Sequence, residues 1–312
     1  MPEMSTEAIL EDRFSTTEIV GTQKTGKTRS LITLLKHLEH QDILPKNLYL
    51  FDLDGDGAES LLKGLEEMGK TSWVRRPEDG GRLRIYRYNT TQRKLLDAAR
   101  PTREQEPWMN FVVDLNSIFQ RLDPRNKWRD PKTAPGAIAL DPCTSLSEMI
   151  WDYILRSRGK ELGGSRDNPL TESGIKFGWV EPTDWTSLQE KIIDVIKTLK
   201  SFPCHRVVTF HEEIVQEMIP GTISTDRNVA AIPARATGGI YALPLLSGKL
   251  QSSIGKFFSI IVYSRYINRG NDLNASYIWH TRPSENERIK MAGSRSKQLE
   301  AVIPQDFCKL LD

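Results

Sequence analysis

The chain reads as an α/β protein with a mostly parallel central sheet flanked by helices. Three observations lead there. Short apolar or β-branched runs alternate with longer stretches whose apolar residues recur at helical spacing. A glycine-containing loop joins the first strand candidate to the first helix candidate. Near the C-terminus two β-branched, aromatic runs flank a turn, the mark of an antiparallel hairpin that extends the sheet.

The first strand is expected over 17–21. The first helix is expected over 28–40, where Leu31, Leu34, Leu35 and Leu38 share one face. Between them, residues 21–28 read Gly-Thr-Gln-Lys-Thr-Gly-Lys-Thr, which fits G-x-x-x-x-G-K-[ST] at every fixed position. Gly21 and Gly26 let the backbone turn tightly and approach an anion with no Cβ in the way. The N–H groups of the loop and the positive end of the helix point at that anion. Gly21, Thr22, Gln23, Lys24, Thr25 and Gly26, with Arg29 opening the helix, are therefore candidates to bind a nucleotide's phosphates. Lys27 reaches the β- and γ-phosphates, and the Thr28 hydroxyl ligates Mg²⁺.

Further strands are expected over 47–53, 83–88, 137–141 and 206–210, and further helices over 57–68, 107–121, 145–156 and 185–201. Trp108, Phe111, Val112, Leu115, Ile118 and Phe119 make a helical apolar stripe that reads as core. Stretches 122–136 and 157–184, charged and rich in proline or glycine, read as insertions. Stretch 214–240 carries Pro220-Gly221, Pro233 and Gly238-Gly239 and reads as a long loop without periodicity. Loops of this length in a compact domain are functional or disordered. The tail hairpin pairs 257–266 with 275–281 about a turn at 268–274. The whole reads as one domain with its core over about 15–300.

A chain of 312 residues can bury a sizeable core. With 27% charged residues and a net charge of +2, it offers no global basic field, so nucleic acid would have to be met by local patches. Cys143, Cys204 and Cys308 show no metal-type spacing and suit a reducing compartment. No apolar run is long enough for a membrane span, and the acidic N-terminus is unlike a signal peptide. A cytoplasmic location is expected.

A phosphate loop needs a carboxylate to hold Mg²⁺. Ala137-Ile138-Ala139-Leu140-Asp141 is an apolar strand ending in Asp141, which reads as that ligand or as the cap of the next helix. Leu48-Tyr49-Leu50-Phe51-Asp52-Leu53-Asp54 offers Asp54 or Asp52 to activate water, with Asp56 solvated in the turn beyond. Val207-Val208-Thr209-Phe210-His211 is a third such strand. Ligands of open α/β sheets lie beyond the carboxyl ends of the strands, so His211 faces the γ-phosphate or is a surface histidine leaving the sheet. The catalytic candidates are Lys27, Asp54, Asp141 and His211, and the metal candidates are Thr28 and Asp141.

The order of these motifs resembles RecA-like P-loop ATPases. More narrowly it resembles the phage-type members that act in single-strand annealing and recombination, which carry a Pro-x-Leu-x-Gly-Lys-Leu stretch before a hydrophobic strand. Here that stretch is Pro244-Leu245-Leu246-Ser247-Gly248-Lys249-Leu250. The resemblance covers roughly 15–300 and implies ATP and Mg²⁺ as cofactors, a homo-oligomeric ring or filament, and single-stranded DNA as partner. It puts Asp141 in the place of the Walker B carboxylate, and Asp54 in that of the glutamate that polarises water. It puts His211 in the place of a polar sensor, 214–240 in that of a DNA-contacting loop, and Lys290 and Arg295 as cations reaching a neighbour's nucleotide. Asp54 is one methylene shorter than glutamate, and 157–184 has no counterpart. A packaging or helicase-type motor, or a module that holds nucleotide with little turnover, remain the alternatives. Basic clusters with aromatics at 73–76, 82–88 and 121–129 are either nucleic-acid contacts or charged faces over core rings.

Overall fold

The computed structural model describes residues 14–41, 45–55, 57–88, 107–125, 127–161, 182–219, 235–246, 248–267 and 276–312. Six parallel strands form the centre of the sheet, in the order β3-β2-β4-β5-β1-β8. They are β1 (Thr16–Val20), β2 (Asn47–Asp52), β3 (Leu83–Arg87), β4 (Pro135–Asp141), β5 (His205–Phe210) and β8 (Ile260–Ile267). Strand β5 lies between β1, which leads into the phosphate loop, and β4, which ends in Asp141.

Strands β1, β2, β4 and β5 are buried along their whole length, and the runs Leu48–Phe51 of β2 and Ala137–Leu140 of β4 are apolar without the alternation of a half-exposed strand. Alternation survives as a choice of layer. Leu48, Leu50, Ala137 and Ala139 pack with helix α1 (Lys27–His40) and helix α2 (Gly57–Glu67). Tyr49, Phe51, Ile138 and Leu140 pack on the other face. The helices there are α3 (Pro107–Phe119), α4 (Cys143–Glu161) and α5 (Pro182–Ser201). The stripe expected on α3 is core in Trp108, Phe111, Leu115 and Ile118, whereas Phe119 is exposed.

The tail extends the sheet with antiparallel strands, as expected, but in finer detail than the sequence indicated. β8 begins at Ile260, because Ile254–Phe257 form a tight 3₁₀ turn after the short helix α6 (Leu250–Ser253). β8 itself runs parallel to β1, and the antiparallel partner is β9 (Ser276–His280). β10 (Gly293–Ser294) pairs with the start of β8, β11 (Val302–Pro304) pairs with β9, and helix α7 (Phe307–Leu311) packs on α1. The hairpin turn 268–274 lies outside the described residues.

The long loop expected over 214–240 is, in its described parts, strand. Strands β6 (Glu212–Ile219) and β7 (Arg235–Pro244) pair antiparallel in a separate two-stranded arm, and 220–234 lie outside the described residues. The arm leaves the sheet at the residue after β5. Arg265 of β8 holds its root, 2.6 Å from Glu212 and 3.4 Å from Glu287. Within stretch 122–136, the described residues before β4 make turns fastened by Trp128, which stacks on Phe202 and donates to the Pro203 carbonyl at 3.2 Å. Of 157–184, the ends continue α4 and begin α5, and 162–181 lie outside the described residues.

Burial of β1 includes Glu18, which is 1% exposed and whose Oε2 has no hydrogen-bond partner. Desolvation raises its pKa from 4.5 to about 8. A raised carboxyl favours folding below its unfolded value and opposes it above, where the unfolded chain gives up the proton and the folded chain keeps it. Wild-type stability should therefore fall between pH 5 and 8, with a ceiling of roughly 4 kcal/mol. Glu18→Gln, which has no proton to lose, should flatten that dependence in denaturant unfolding. Equal pH slopes for the two proteins would show that Glu18 ionises freely.

Candidate functional site

The carboxyl ends of the parallel strands meet at one edge of the sheet, and the phosphate loop lies across it. Its conformation follows from residue types at two points. Gly26 adopts φ 85°, and a Cβ there would meet Gln305 Oε1 at 2.6 Å. A Cβ on Gly21 would fall 2.8 Å from the Ser264 carbonyl oxygen on the adjacent β8. The loop is also tied from behind. Ser264 Oγ and Gln305 Nε2 each donate to the Thr25 carbonyl at 2.8 Å.

Lys27 is 6% exposed and folds over its own loop, its Nζ donating to the carbonyls of Gly21 at 2.8 Å and Thr22 at 2.6 Å. Burial lowers its pKa, against the opposing pull of Asp141, Glu212 and Asp54. The next side chain faces Asp141: Thr28 Oγ1 donates to Asp141 Oδ2 at 2.5 Å, and Thr209 Oγ1 donates to Oδ1. Asp141 thus spends both oxygens on hydroxyls of the site, and the helix-cap alternative does not apply. Burial raises its pKa, while the bonds from Thr209 and Thr28 and the charge of Lys27 hold it down.

The structure separates the two aspartates after β2. Asp52 is fully buried and accepts from the N–H groups of Gly55 at 3.0 Å, Gly57 at 3.3 Å and Ala58 at 3.1 Å. It caps α2 and is occupied by that task. Asp54 opens into the site instead. Its Oδ1 accepts from Ser145 Oγ, and its Oδ2 lies 3.6 Å from His211 Nε2. Burial alone pushes its pKa up, but the bonds from His211 and Ser145 and the charges of His211 and Lys27 outweigh it and hold the carboxyl below 3.8. Asp56 lies outside the described residues.

His211 links the site to the arm. Its N–H donates to Thr144 Oγ1 at 3.0 Å, its carbonyl accepts from Leu245 N at 2.7 Å just beyond β7, and its ring faces Asp54. It is half-buried, not a histidine merely leaving the sheet.

A cavity of about 610 Å³ brings Lys27, Thr28, Asp54, Asp141 and His211 together, with Gln23, Lys24, Gly26 and Arg29 on its wall. Gly21 and Thr25 support the loop from behind. Arg29 also pairs with Glu67 of α2. Several site residues were not singled out from the sequence. Thr209 had a signal, a hydroxyl inside an apolar strand. Gly57 had a weaker one, a glycine at a helix start. A Cβ there would come within 2.9 Å of Asp141 Oδ2 and 3.1 Å of Asp52 Oδ1, so only glycine lets α2 approach both carboxylates. Gln305, distant in sequence, had none.

Rings of the basic clusters are spent on packing. Trp73 is buried beneath Lys70 and Arg82, at 4.6 and 4.7 Å. Tyr86 stacks on Phe51 at 4.9 Å, and the Tyr88 hydroxyl donates to Asp114 at 2.5 Å. Arg84 pairs with Glu78, and Arg121 donates to the Tyr49 hydroxyl at 2.9 Å. The described rings of these clusters pack in or against the core. Lys290 lies 4.7 Å above the Tyr241 ring. Arg295 donates to the Lys256 carbonyl at 2.8 Å near the start of β8, at the edge of the sheet opposite its own phosphate loop. No helix among the described residues is long and apolar enough to cross a membrane.

The solved structures that resemble the chain include the following two. One is a KaiC-like protein from the hyperthermophilic archaeon Pyrococcus horikoshii, at 10% identity and a TM-score of 0.40, covering 93% of this chain and 88% of that one. The other is the flagellar accessory protein FlaH from Methanocaldococcus jannaschii, at 10% identity and a TM-score of 0.44, covering 93% of this chain and 83% of that one. No family model matches the sequence, and no curated protein matches it.

Proposed function

We propose that the protein binds ATP with Mg²⁺ in this cavity and hydrolyses it. One observation carries the reading: the phosphate loop's Lys27 and Thr28, Asp141 from β4, Asp54 from beyond β2 and His211 from beyond β5 converge on a single cavity. The oxygens of Thr28 and Asp141, already 2.5 Å apart, are the hard donors that Mg²⁺ prefers. When bound, the ion neutralises charge that develops on the β- and γ-phosphates.

The chain's own residues supply the rest. Lys27 exchanges its two loop carbonyls for phosphate oxygens, which are stronger acceptors. The loop N–H groups hold the chain of phosphates. Asp54 accepts a hydrogen bond from the attacking water and aims it at the γ-phosphorus. A carboxylate held below its ordinary pKa is a weak base, so its contribution is orientation more than proton removal. That suffices for phosphoryl transfer, whose loose transition state asks mainly for positioning and charge. As the water oxygen bonds the γ-phosphorus, the P–O bond to the bridging oxygen breaks, ADP leaves with that electron pair, and the water's proton passes to the phosphate product. His211 stands where it can bond the γ-phosphate or Asp54, according to what occupies the site.

The finer reading is a cytoplasmic, homo-oligomeric, single-domain RecA-like protein acting on single-stranded DNA in phage-type recombination. It rests on the resemblance of the motifs in their order, and on the arm β6–β7, which leaves the site directly at His211. The test is ATP hydrolysis by the purified protein, with and without single-stranded DNA, at two salt concentrations. Turnover that single strands stimulate, less so at high salt, is the expected result. Turnover indifferent to DNA would remove the DNA partner and keep the ATPase. Bound nucleotide without turnover would make the chain a nucleotide-holding module.

A further inference from the structure

The wall of the cavity carries one more ring besides His211, that of Tyr277 on β9. It lies directly against the phosphate loop: a Cβ built on Gly26 would fall 2.9 Å from Tyr277 Cδ1. Its cross-strand partner on β8 is Tyr266, with ring centroids 5.3 Å apart and planes inclined by 55°. Tyr266 is 46% exposed. Strands β8 and β9 continue the sheet beyond β1, so the two tyrosines stand on the side of the loop away from Asp141 and Asp54.

This placement divides the cavity. The end formed by Lys27, Asp141, Asp54 and His211 is charged and takes the terminal phosphates. The wall toward α2, with Ser60 and Lys63, is polar. The aromatic ring of Tyr277 is on the β9 side. We propose that a bound nucleotide lays its base on the face of Tyr277, with Tyr266 backing the platform, so that the site selects a nucleoside triphosphate over a bare phosphate chain. This rests on the nucleotide reading of the same cavity. A platform reads the face of a base and not its edge, and every base has such a face.

The test measures binding of ATP and of inorganic tripolyphosphate, each with Mg²⁺, by titration calorimetry. The proteins are the wild type, Tyr277→Ala, Tyr277→Phe and Lys27→Ala. Tyr277→Ala should weaken ATP by about ten-fold and leave tripolyphosphate within about two-fold. Tyr277→Phe, which keeps the ring, should bind both like the wild type. Lys27→Ala should lose both. Equal weakening of both ligands by Tyr277→Ala would mean that the ring only supports Gly26, and unchanged ATP affinity would mean that no base stacks there. Either outcome overturns the platform and leaves the phosphate site standing. A wild type that binds neither ligand overturns the nucleotide reading, and the platform with it.

Discussion

Lys27→Ala should reduce ATP affinity by at least about a hundred-fold and leave the fold intact. Two charge-assisted bonds to phosphate, each contributing about 1.5–3 kcal/mol, are lost with the ammonium. The loss does not stop there. Lys27 is also a cation in the field of Asp141, Glu212 and Asp54. Without it, Asp141 and Asp54 would face the phosphates with one compensating cation fewer. The fold should tolerate the change, because burial disfavours the charged amine and the released partners are two carbonyls of the loop itself. Calorimetric titration with ATP, beside thermal melting, checks both parts. Wild-type affinity in the variant would detach the phosphate loop from nucleotide binding.

How much of this was legible in the sequence depended on the range of the interaction. Five of the parallel strands and the helices between them were visible because buried strands carry short apolar runs and helices carry stripes, whereas the sixth, β8, was read only as one arm of the antiparallel tail hairpin. Asp141 and His211 were visible because each ends such a run. What required the fold was the division of labour between chemically alike neighbours. Asp52 and Asp54 are two residues apart and equally acidic. Only the structure shows three N–H groups of the α2 start taking Asp52, and Ser145 and His211 taking Asp54. The support of the phosphate loop by Ser264 and Gln305 spans separations of 239 and 280 residues, which no local pattern records. The arm β6–β7 was mistaken for a loop because its strands stand outside the main sheet and carry no continuous apolar run. The aromatic–basic clusters left two readings open for a related reason. Composition does not tell a ring that stacks on Phe51 or Phe202 from one that awaits a base.

Asp54→Asn should lower kcat by at least about a hundred-fold while changing ATP affinity by no more than about three-fold. Asparagine keeps the size of the side chain and an oxygen that can accept from Ser145 Oγ, so the loop after β2 should hold its place. The second position becomes an amide N–H₂, which donates to water where the carboxylate accepts. Water would then lose the group that aims it, an effect felt in the transition state and not in ground-state binding. Binding should if anything tighten slightly, since a negative charge is removed from beside the γ-phosphate. The acid side of the wild-type rate profile is tied to the same group. Asp54 is held below 3.8, so its protonation should not limit turnover anywhere near neutral pH. Single-turnover hydrolysis and equilibrium ATP binding, measured on one preparation, separate the two effects. Weakened affinity with an unchanged chemical step would make Asp54 a binding residue and return the water-orienting role to another group on the wall, of which His211 is the nearest, 3.6 Å away.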